Sequence, residues 1–253
     1  MKKKSFIILI LIFIVVEIIA LVMLNLESFK KDEKTEKINL DINSELVQKL
    51  YKMANPSEDA ELLNDLYNNK ELTNNYIVAI GVADYLKDND PILIENPSYV
   101  FDYIPGDDVD KHIKFVLGNI DYKPQDVFLF SNGYCGFDYN EELNRYEDKG
   151  GCGSSGYEKY YRKIDSAYKE GDRIYINEKS FFVYDDWNDY ISKVSIFSNY
   201  DKKNLLDYFE QDSNEALNID TNKYMDKGSI YQYEFVQKDN NNNYIFKGIK
   251  RVE

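Results

Sequence analysis

The sequence predicts an α+β fold, in which an N-terminal transmembrane helix and a polar tether precede a helical region packed on a mainly antiparallel β-sheet. Three observations predict it. An unbroken apolar run, Phe6–Leu26, lies near the N terminus; apolar residues then recur with a helical period up to Gly118; beyond Tyr122 they recur with a period of two. The expected parts are a cytoplasmic tail at 1–4, a transmembrane anchor at 5–26, a tether at 27–43 and an extracytoplasmic α+β domain at 44–253.

The apolar run favours an uncleaved signal anchor over a cleaved signal peptide. About 20 apolar residues cross the ~30 Å hydrocarbon core as a helix, and Phe6–Leu26 is long enough to do so. A signal peptide has an apolar region of only about 7–15 residues, which ends at a small-residue cleavage site. No such site follows Leu21. We therefore expect a permanent single-pass span.

Glu17 lies in the middle of this run. An acidic residue at the centre of a span makes the free energy of membrane insertion less favourable by roughly 2.5–3.5 kcal/mol, and the surrounding aliphatic residues offset this cost. Intramembrane acids often mark a contact with a partner or a proton path. Glu17 is therefore interpreted as a tolerated, protonated residue or, alternatively, as a contact with another membrane span.

The orientation of the span depends on the short N-terminal tail. Lys2, Lys3 and Lys4 favour a cytoplasmic N terminus, but Lys30 and Lys31 flank the other end, so the count of basic residues does not settle it. A tail of this length needs no translocation if it stays inside. We expect a cell-membrane protein with a cytoplasmic N terminus and an extracytoplasmic C-terminal domain.

The amino-acid composition argues against negatively charged macromolecular partners. The formal net charge is −14 at pH 7, which disfavours binding to nucleic acid and to anionic lipid surfaces. A hydrophobic content of 43% with 15% aromatic residues is enough for a folded core. The richness in Asn, Lys, Ile, Tyr and Asp is typical of an AT-rich bacterial genome. The overall plan resembles single-pass surface proteins of low-GC bacteria, a resemblance that implies no functional residue.

Four helices are predicted between the tether and Gly118. Each begins at a residue that can cap its first turn, and each carries an apolar face. The third, Asn74–Leu86, is apolar nearly all round, which predicts a central position. The expected caps are Ser44, Ser57, Thr73 and Asp107.

Strands are predicted beyond Tyr122, where apolar and polar residues alternate. Tyr157–Lys169 fits a helical spacing, yet the turn that follows at Gly171 suits a hairpin, so a strand is preferred. Leu205–Phe209 is expected to be a short helix. In the last strands, Tyr231, Tyr233 and Phe235 should share one face of a C-terminal hairpin. The other predicted strands are Val127–Phe130, Tyr134–Tyr139, Arg173–Ile176, Phe181–Tyr184, Lys193–Phe197, Ile230–Val236 and Tyr244–Val252.

The two cysteines predict a disulfide bond. If Tyr134–Tyr139 and Tyr146–Gly151 form a hairpin around a four-residue loop, Cys135 faces Cys152, within the Cα separation that a disulfide needs. An even number of cysteines outside the cytoplasm favours a bridge, which would contribute about 3 kcal/mol. The alternatives are an under-coordinated metal site and a catalytic thiol.

No catalytic, cofactor-binding or metal-binding residue is predicted. His112 is the sole histidine; it lies beside Asp108 and Asp110, off the apolar face of its helix, and is interpreted as a solvated residue at the boundary of the core. The glycine-rich stretch 150–156 lacks the Lys-Ser/Thr end of a phosphate-binding loop. Acidic clusters at 107–110, 185–189 and 212–220 lack the spacing of a calcium-binding loop.

Three functions remain compatible with these features. The first is a non-enzymatic interaction or ligand-binding module for a protein or a cell-envelope ligand, in which some of the 23 tyrosines could line the binding face. The second is an extracytoplasmic hydrolase, dependent on carboxylates or a metal, that acts on cell-envelope material. The third is an accessory subunit of a membrane complex, with Glu17 contacting another span.

Overall fold

The computed structural model describes residues 36–55, 60–69, 71–96, 99–131, 134–150, 157–187, 190–239 and 243–252. The expected transmembrane segment with Glu17, and most of the expected tether, lie outside these ranges. Within them, no helix has both the length and the apolar character that a membrane span requires. From Ile38 onward the chain forms one compact unit.

Helices and antiparallel sheets pack together in this unit, as the α+β prediction requires. The helices are α1 (Glu45–Ala54), α2 (Ala60–Asn68), α3 (Asn74–Asp88), α4 (Gly106–Leu117) and the short α5 (Thr221–Met225). Two predicted caps are confirmed, because Ser44 Oγ accepts a hydrogen bond from the Val47 amide and Thr73 Oγ1 accepts one from the Tyr76 amide. The cap predicted at Ser57 lies outside the described residues.

The predicted cap of α4 is wrong by two residues. The helix begins at Gly106, directly after Pro105, so Asp107 lies in its first turn and no side chain caps it. The fixed φ of proline suits the start of a helix, which explains the earlier beginning. Gly118 ends the helix as expected of a glycine, with φ +75°.

The central position of α3 is confirmed. All its residues from Tyr76 to Leu86 are buried. At Gly81 the helix lies so close to α4 that a Cβ atom would be 2.4 Å from Ile113 Cγ1. The absence of a side chain at Gly81 is therefore what allows α3 and α4 to pack at this distance.

The strands form two sheets. The first has the order β1-β7-β8-β11-β12, and β9 and β10 extend it from β8; the second has the order β2-β3-β6-β5-β4. The bounds are β1 Lys37–Leu40, β2 Ile92–Asn96, β3 Tyr99–Pro105, β4 Val127–Ser131, β5 Tyr134–Asn140, β6 Arg145–Asp148, β7 Tyr157–Glu170, β8 Arg173–Trp187, β9 Ile191–Phe197, β10 Leu205–Asp212, β11 Ser229–Gln237 and β12 Tyr244–Arg251.

The segment that fitted both a helix and a strand is strand β7. It pairs with β8 along its whole length, and a bulge interrupts the pairing between Ile164 and Ser166. Before the bulge the even-numbered residues Tyr160 and Ile164 are buried, and after it the odd-numbered residue Ala167 is buried. It therefore creates a three-residue spacing of buried side chains within a strand, which is why the pattern also fitted a helix.

Other segments differ from prediction because a neighbouring strand determines their structure. Leu205–Phe209 is not a helix; it belongs to β10, which pairs antiparallel with β9. Strands β2 and β3 were not predicted, and they pair with each other. Strand β1 lies within the range expected to be tether, and its last residue, Leu40, packs against the core. Strand pairing outweighs local propensity in such segments.

The main core lies between the first sheet and the helices α1–α4. The predicted aromatic face of β11 is confirmed: Tyr231, Tyr233 and Phe235 are 1%, 0% and 0% exposed. On β8, neighbouring residues face opposite ways, so Phe181 packs on the other side, where its ring lies 5.7 Å from that of Tyr224 in α5. The four longer helices therefore lie on one side of the sheet and α5 on the other.

Candidate functional site

A cavity of about 670 Å³ opens between α1, α3 and α4. A smaller cavity of about 180 Å³ shares Lys49, Met53 and Phe115 with it and continues to the β11–β12 turn. We call the two together the α1–α4 groove. The wall of the larger cavity consists of Glu45, Gln48, Lys49, Lys52, Met53, Asn55, Asp84, Lys87, Asp88 and Phe115.

The amphipathic character of α1 and α4 produces this groove. Helix α1 buries Val47, Leu50, Met53 and Ala54 against the core. Lys49 and Lys52 lie three residues apart, so they share one side of α1, along the groove. On α4, Phe115 lies off the buried face and is 59% exposed. The groove thus combines an exposed aromatic ring with basic side chains.

Some charged side chains along the groove are paired with a neighbour, and others are not. Asp84 is 9% exposed, and both its oxygens are occupied: Oδ1 lies 3.1 Å from Lys87 Nζ and Oδ2 lies 2.9 Å from His112 Nδ1. Lys49 and Lys52 form no ion pair within the described part of the chain. Their positive charge is therefore available to a ligand.

His112 lies at a boundary position, as expected from the sequence, with 26% of its side chain exposed, but its partner is not on its own helix. Its partner is Asp84 of α3, whereas Asp108 and Asp110 on its own helix pair with Lys111 and Lys114. A His–Asp pair is the base and orienting part of a nucleophilic triad. Among the described residues no serine, threonine or cysteine hydrogen bonds to His112, so the pair fixes the packing of α3 on α4.

The acidic clusters are dispersed among local contacts. Asp107 accepts a hydrogen bond from Asn144 Nδ2 at 2.9 Å, Asp185 is buried and accepts one from Ser192, and Asp220 caps α5. The backbone and side-chain N–H groups of Asn214 lower the pKa of Asp212. In the ranges that the structure describes, no group of three His, Cys, Asp or Glu residues is arranged to hold a metal ion.

A buried polar cluster lies under α1 and α2, and sequence reasoning did not find it. We call it the Glu178 cluster. Glu178 is 0% exposed, and it accepts hydrogen bonds from three phenols: Tyr67 at 2.6 Å, Tyr233 at 3.1 Å and Tyr51. Arg162 lies beside these groups, and its Nη1 donates to Asn55 Oδ1 at 2.6 Å. Asn55 also lines the groove, so the cluster holds the end of α1 in place.

The electrostatics of this cluster are dominated by burial. Burial raises the pKa of Glu178, although Arg162 and the three phenols act in the opposite direction. Burial also raises the pKa values of Tyr67 and Tyr233. A carboxyl group with a raised pKa is a common general acid. Glu178 is sealed from solvent, however, so its role here is to link the helices to the sheet.

The predicted hairpin around Cys135 is confirmed, but its register is wrong by two residues. Phe137 pairs with Asp148 and Tyr139 with Tyr146, which does not set position 135 opposite 152. Asn144 adopts φ +45°, which ends the turn early and returns the chain to strand at Arg145. Cys135 is 5% exposed in β5, whereas Cys152 and most of the glycine-rich stretch lie outside the described residues. The Cys135–Cys152 bridge stays a prediction.

Comparison with known proteins adds no functional analogy. No protein-family model, curated protein or solved structure matches this chain. The functional argument therefore depends on the chemistry of the groove.

Proposed function

We propose that this chain is a single-pass, membrane-anchored extracytoplasmic ligand-binding module whose ligand site is the α1–α4 groove. Phe6–Leu26 would be the anchor, and the residues that follow it a tether between the membrane and the folded unit. The ligand proposed is a small amphipathic anion. The observation that carries this proposal is an exposed phenylalanine, Phe115, in one cavity with Lys49 and Lys52, which form no ion pair with any residue that the structure describes.

The size and lining of the groove support a small ligand. Sites for small molecules typically occupy about 300–1,000 Å³ and combine apolar walls with a few polar groups. The larger cavity, about 670 Å³, falls in this range, and Met53 and Phe115 supply apolar surface. An apolar body packed on Phe115 would remove that ring from water, which is favourable in proportion to the apolar area buried.

The charges in the groove favour a single anionic group. Lys49 and Lys52 lie close enough on α1 to contact the same carboxylate, sulfonate or phosphate. Both carboxylate oxygens of Asp84 are already occupied, one by Lys87 and the other by His112. Glu45 and Asp88 also line the groove, and they would repel a ligand that carries several negative charges. These features support an amphipathic monoanion over a polyanion.

Binding of 2-naphthalenesulfonate tests the groove. The full chain in neutral phosphatidylcholine nanodiscs is expected to bind this probe more tightly than 2-naphthyltrimethylammonium, which has the same ring system and the opposite charge. Phe115→Ser and the double variant Lys49→Ala/Lys52→Ala should each weaken binding at least tenfold in isothermal titration calorimetry. Binding to empty nanodiscs is subtracted.

Matched variants elsewhere provide the control. Phe128 is 50% exposed, and Lys247 and Lys250 are exposed on β12, away from the groove wall. Phe128→Ser and Lys247→Ala/Lys250→Ala should leave the affinity within twofold of the wild type. Equal affinity for the two probes, or an unchanged affinity in Phe115→Ser, would show that the groove is not the site.

The disulfide tests the proposed location. Full-length chain isolated from its host and alkylated without reduction is expected to carry no alkyl group, because Cys135 and Cys152 are bonded to each other. After reduction both residues should be alkylated, and stability should fall by about 3 kcal/mol. Two alkylated thiols in the unreduced protein would contradict both the bridge and the extracytoplasmic location.

A further inference from the structure

A separate cavity, of about 200 Å³, lies between the start of α4 and the β5–β6 hairpin. None of its residues lines the α1–α4 groove. We call it the tyrosine pocket. The polar residues that line it are Tyr122, Tyr139, Tyr146, Asp107, Asp110 and Asn144.

Tyr146 is the unusual member of this wall. It occupies the middle of the second sheet, opposite Tyr139 on β5 and Ile104 on β3, and it is 1% exposed. Its hydroxyl group has no hydrogen-bond partner in the part of the chain that the structure describes. A buried hydroxyl without a partner destabilises a protein, and a phenylalanine would avoid that cost. The fold alone therefore does not explain this hydroxyl.

The remaining polar groups of the pocket use most of their donors on one another. Tyr122 donates to Asp110 Oδ1 at 3.3 Å, and Tyr139 donates to Asn144 Oδ1 at 2.9 Å. Asn144 Nδ2 in turn donates to Asp107 Oδ1 at 2.9 Å. Phenol oxygens and ionised carboxylates keep further lone pairs after these bonds. The pocket therefore presents mainly acceptors to whatever enters it.

The charge around the pocket is negative at Asp107. Asp110 is paired with Lys114, but Asp107 forms no ion pair within the described residues. The N-terminal end of α4 lies at the same place, and its dipole is equivalent to about half a positive elementary charge. It therefore offsets only part of the negative charge of Asp107. Burial and the charge of Asp110 together raise the pKa of Tyr122 to about 12, so this phenol stays neutral.

We propose that the tyrosine pocket binds a small primary ammonium group. Such a group supplies N–H donors and a positive charge, which match the spare acceptors and the unpaired Asp107. One N–H would reach Tyr146, whose hydroxyl lacks a partner, and another would reach Asp107. Aromatic rings also attract cations. This site is independent of the groove, and neither proposal requires the other.

Binding of propylammonium, with 1-propanol as the uncharged counterpart, tests the proposal. The full chain in neutral nanodiscs should bind propylammonium in the millimolar range by saturation-transfer NMR, and it should bind 1-propanol at least tenfold more weakly. Tyr146→Phe should weaken propylammonium binding at least fivefold without lowering the melting temperature, because its hydroxyl has no hydrogen bond to lose. Asp107→Asn, which keeps the shape of the side chain, should weaken binding at least as much.

Tyr208→Phe is the control. Tyr208 is exposed, and its hydroxyl donates to Glu210, far from the pocket wall. This variant should bind propylammonium as the wild type does. Equal binding of the alcohol and the amine, an unchanged affinity in Tyr146→Phe, or a clear loss of stability in that variant would each overturn the proposal.

Discussion

Replacing Glu178 with leucine is expected to lower the free energy of unfolding by about 3–5 kcal/mol. Glu178 is 0% exposed and accepts hydrogen bonds from three tyrosines. Leucine would leave these phenols, and the charge of Arg162 beside them, without their partner. Urea unfolding followed by circular dichroism measures the change.

Two further variants separate the buried charge from the lost hydrogen bonds. Arg162→Met/Glu178→Leu removes the charge of Arg162 together with the carboxyl group, so it should recover part of the stability lost in Glu178→Leu. Glu210→Gln, on exposed β10, should change stability by no more than about 0.5 kcal/mol. If Glu178→Leu unfolded at the same urea concentration as the wild type, the Glu178 cluster would not be what joins the helices to the sheet.

The raised pKa of Glu178 gives the cluster a pH dependence of defined sign. Because burial raises the folded-state pKa above the ordinary value of 4.5, the folded protein holds this proton more tightly than the unfolded chain does. The resulting stabilisation is complete below about pH 4.5 and is lost as pH rises through the folded-state pKa. Wild type should therefore lose stability relative to Glu178→Gln as pH rises from about 4.5 to the folded-state pKa; the opposite trend would contradict a raised pKa.

The sequence predicted those elements whose determinants are local. Helix α1 has its cap, Ser44, and its apolar face within one short segment. The same holds for α3, where apolar residues on all sides required a buried position. The aromatic face of β11 followed from simple alternation. In each case the residues that determine the structure are neighbours in the chain.

Features that depend on distant partners were missed. Strand β10 exists because β9 lies beside it. The register of the β5–β6 hairpin was missed for a local reason, since it depends on the left-handed backbone conformation of Asn144 in its turn. The Glu178 cluster joins residues from α1, α2 and three strands. One local signal did exist. Glu178 lies an even number of residues from Ile174, Ile176 and Phe182 on β8, so it shares a strand face with them. These three residues are buried, so the side chain of Glu178 had to point inward as well.

The groove could not be predicted from the sequence either, because it depends on how closely the helices pack. Phe115 lies off the apolar face of α4, and an exposed phenylalanine on a helix is a signal that can be read from sequence. Nothing local showed that Lys49 and Lys52 would lie next to it. That juxtaposition depends on the contact between α3 and α4, where Gly81 has no side chain.

Replacing Gly81 with leucine is therefore expected to destabilise the protein by about 2–3 kcal/mol, even though leucine favours helices more than glycine does. A Cβ at this position would lie 2.4 Å from Ile113 Cγ1 and 3.0 Å from the Val109 carbonyl oxygen. Ile113 and Val109 are both fully buried, so neither has free space to move into. The helices must move apart, and urea unfolding measures the cost.

The coupling between Gly81 and Ile113 distinguishes a steric clash from a general effect on α3. Ile113→Ala alone should cost about 2–5 kcal/mol, because it leaves a cavity. Combined with Gly81→Leu, it provides space for the new side chain, so the double variant should lose less stability than the sum of the two single variants. Lys111→Leu, on the exposed side of α4, should be nearly neutral. Strict additivity would mean that α3 and α4 do not meet at Gly81, and the groove would then lack the helix crossing that forms it.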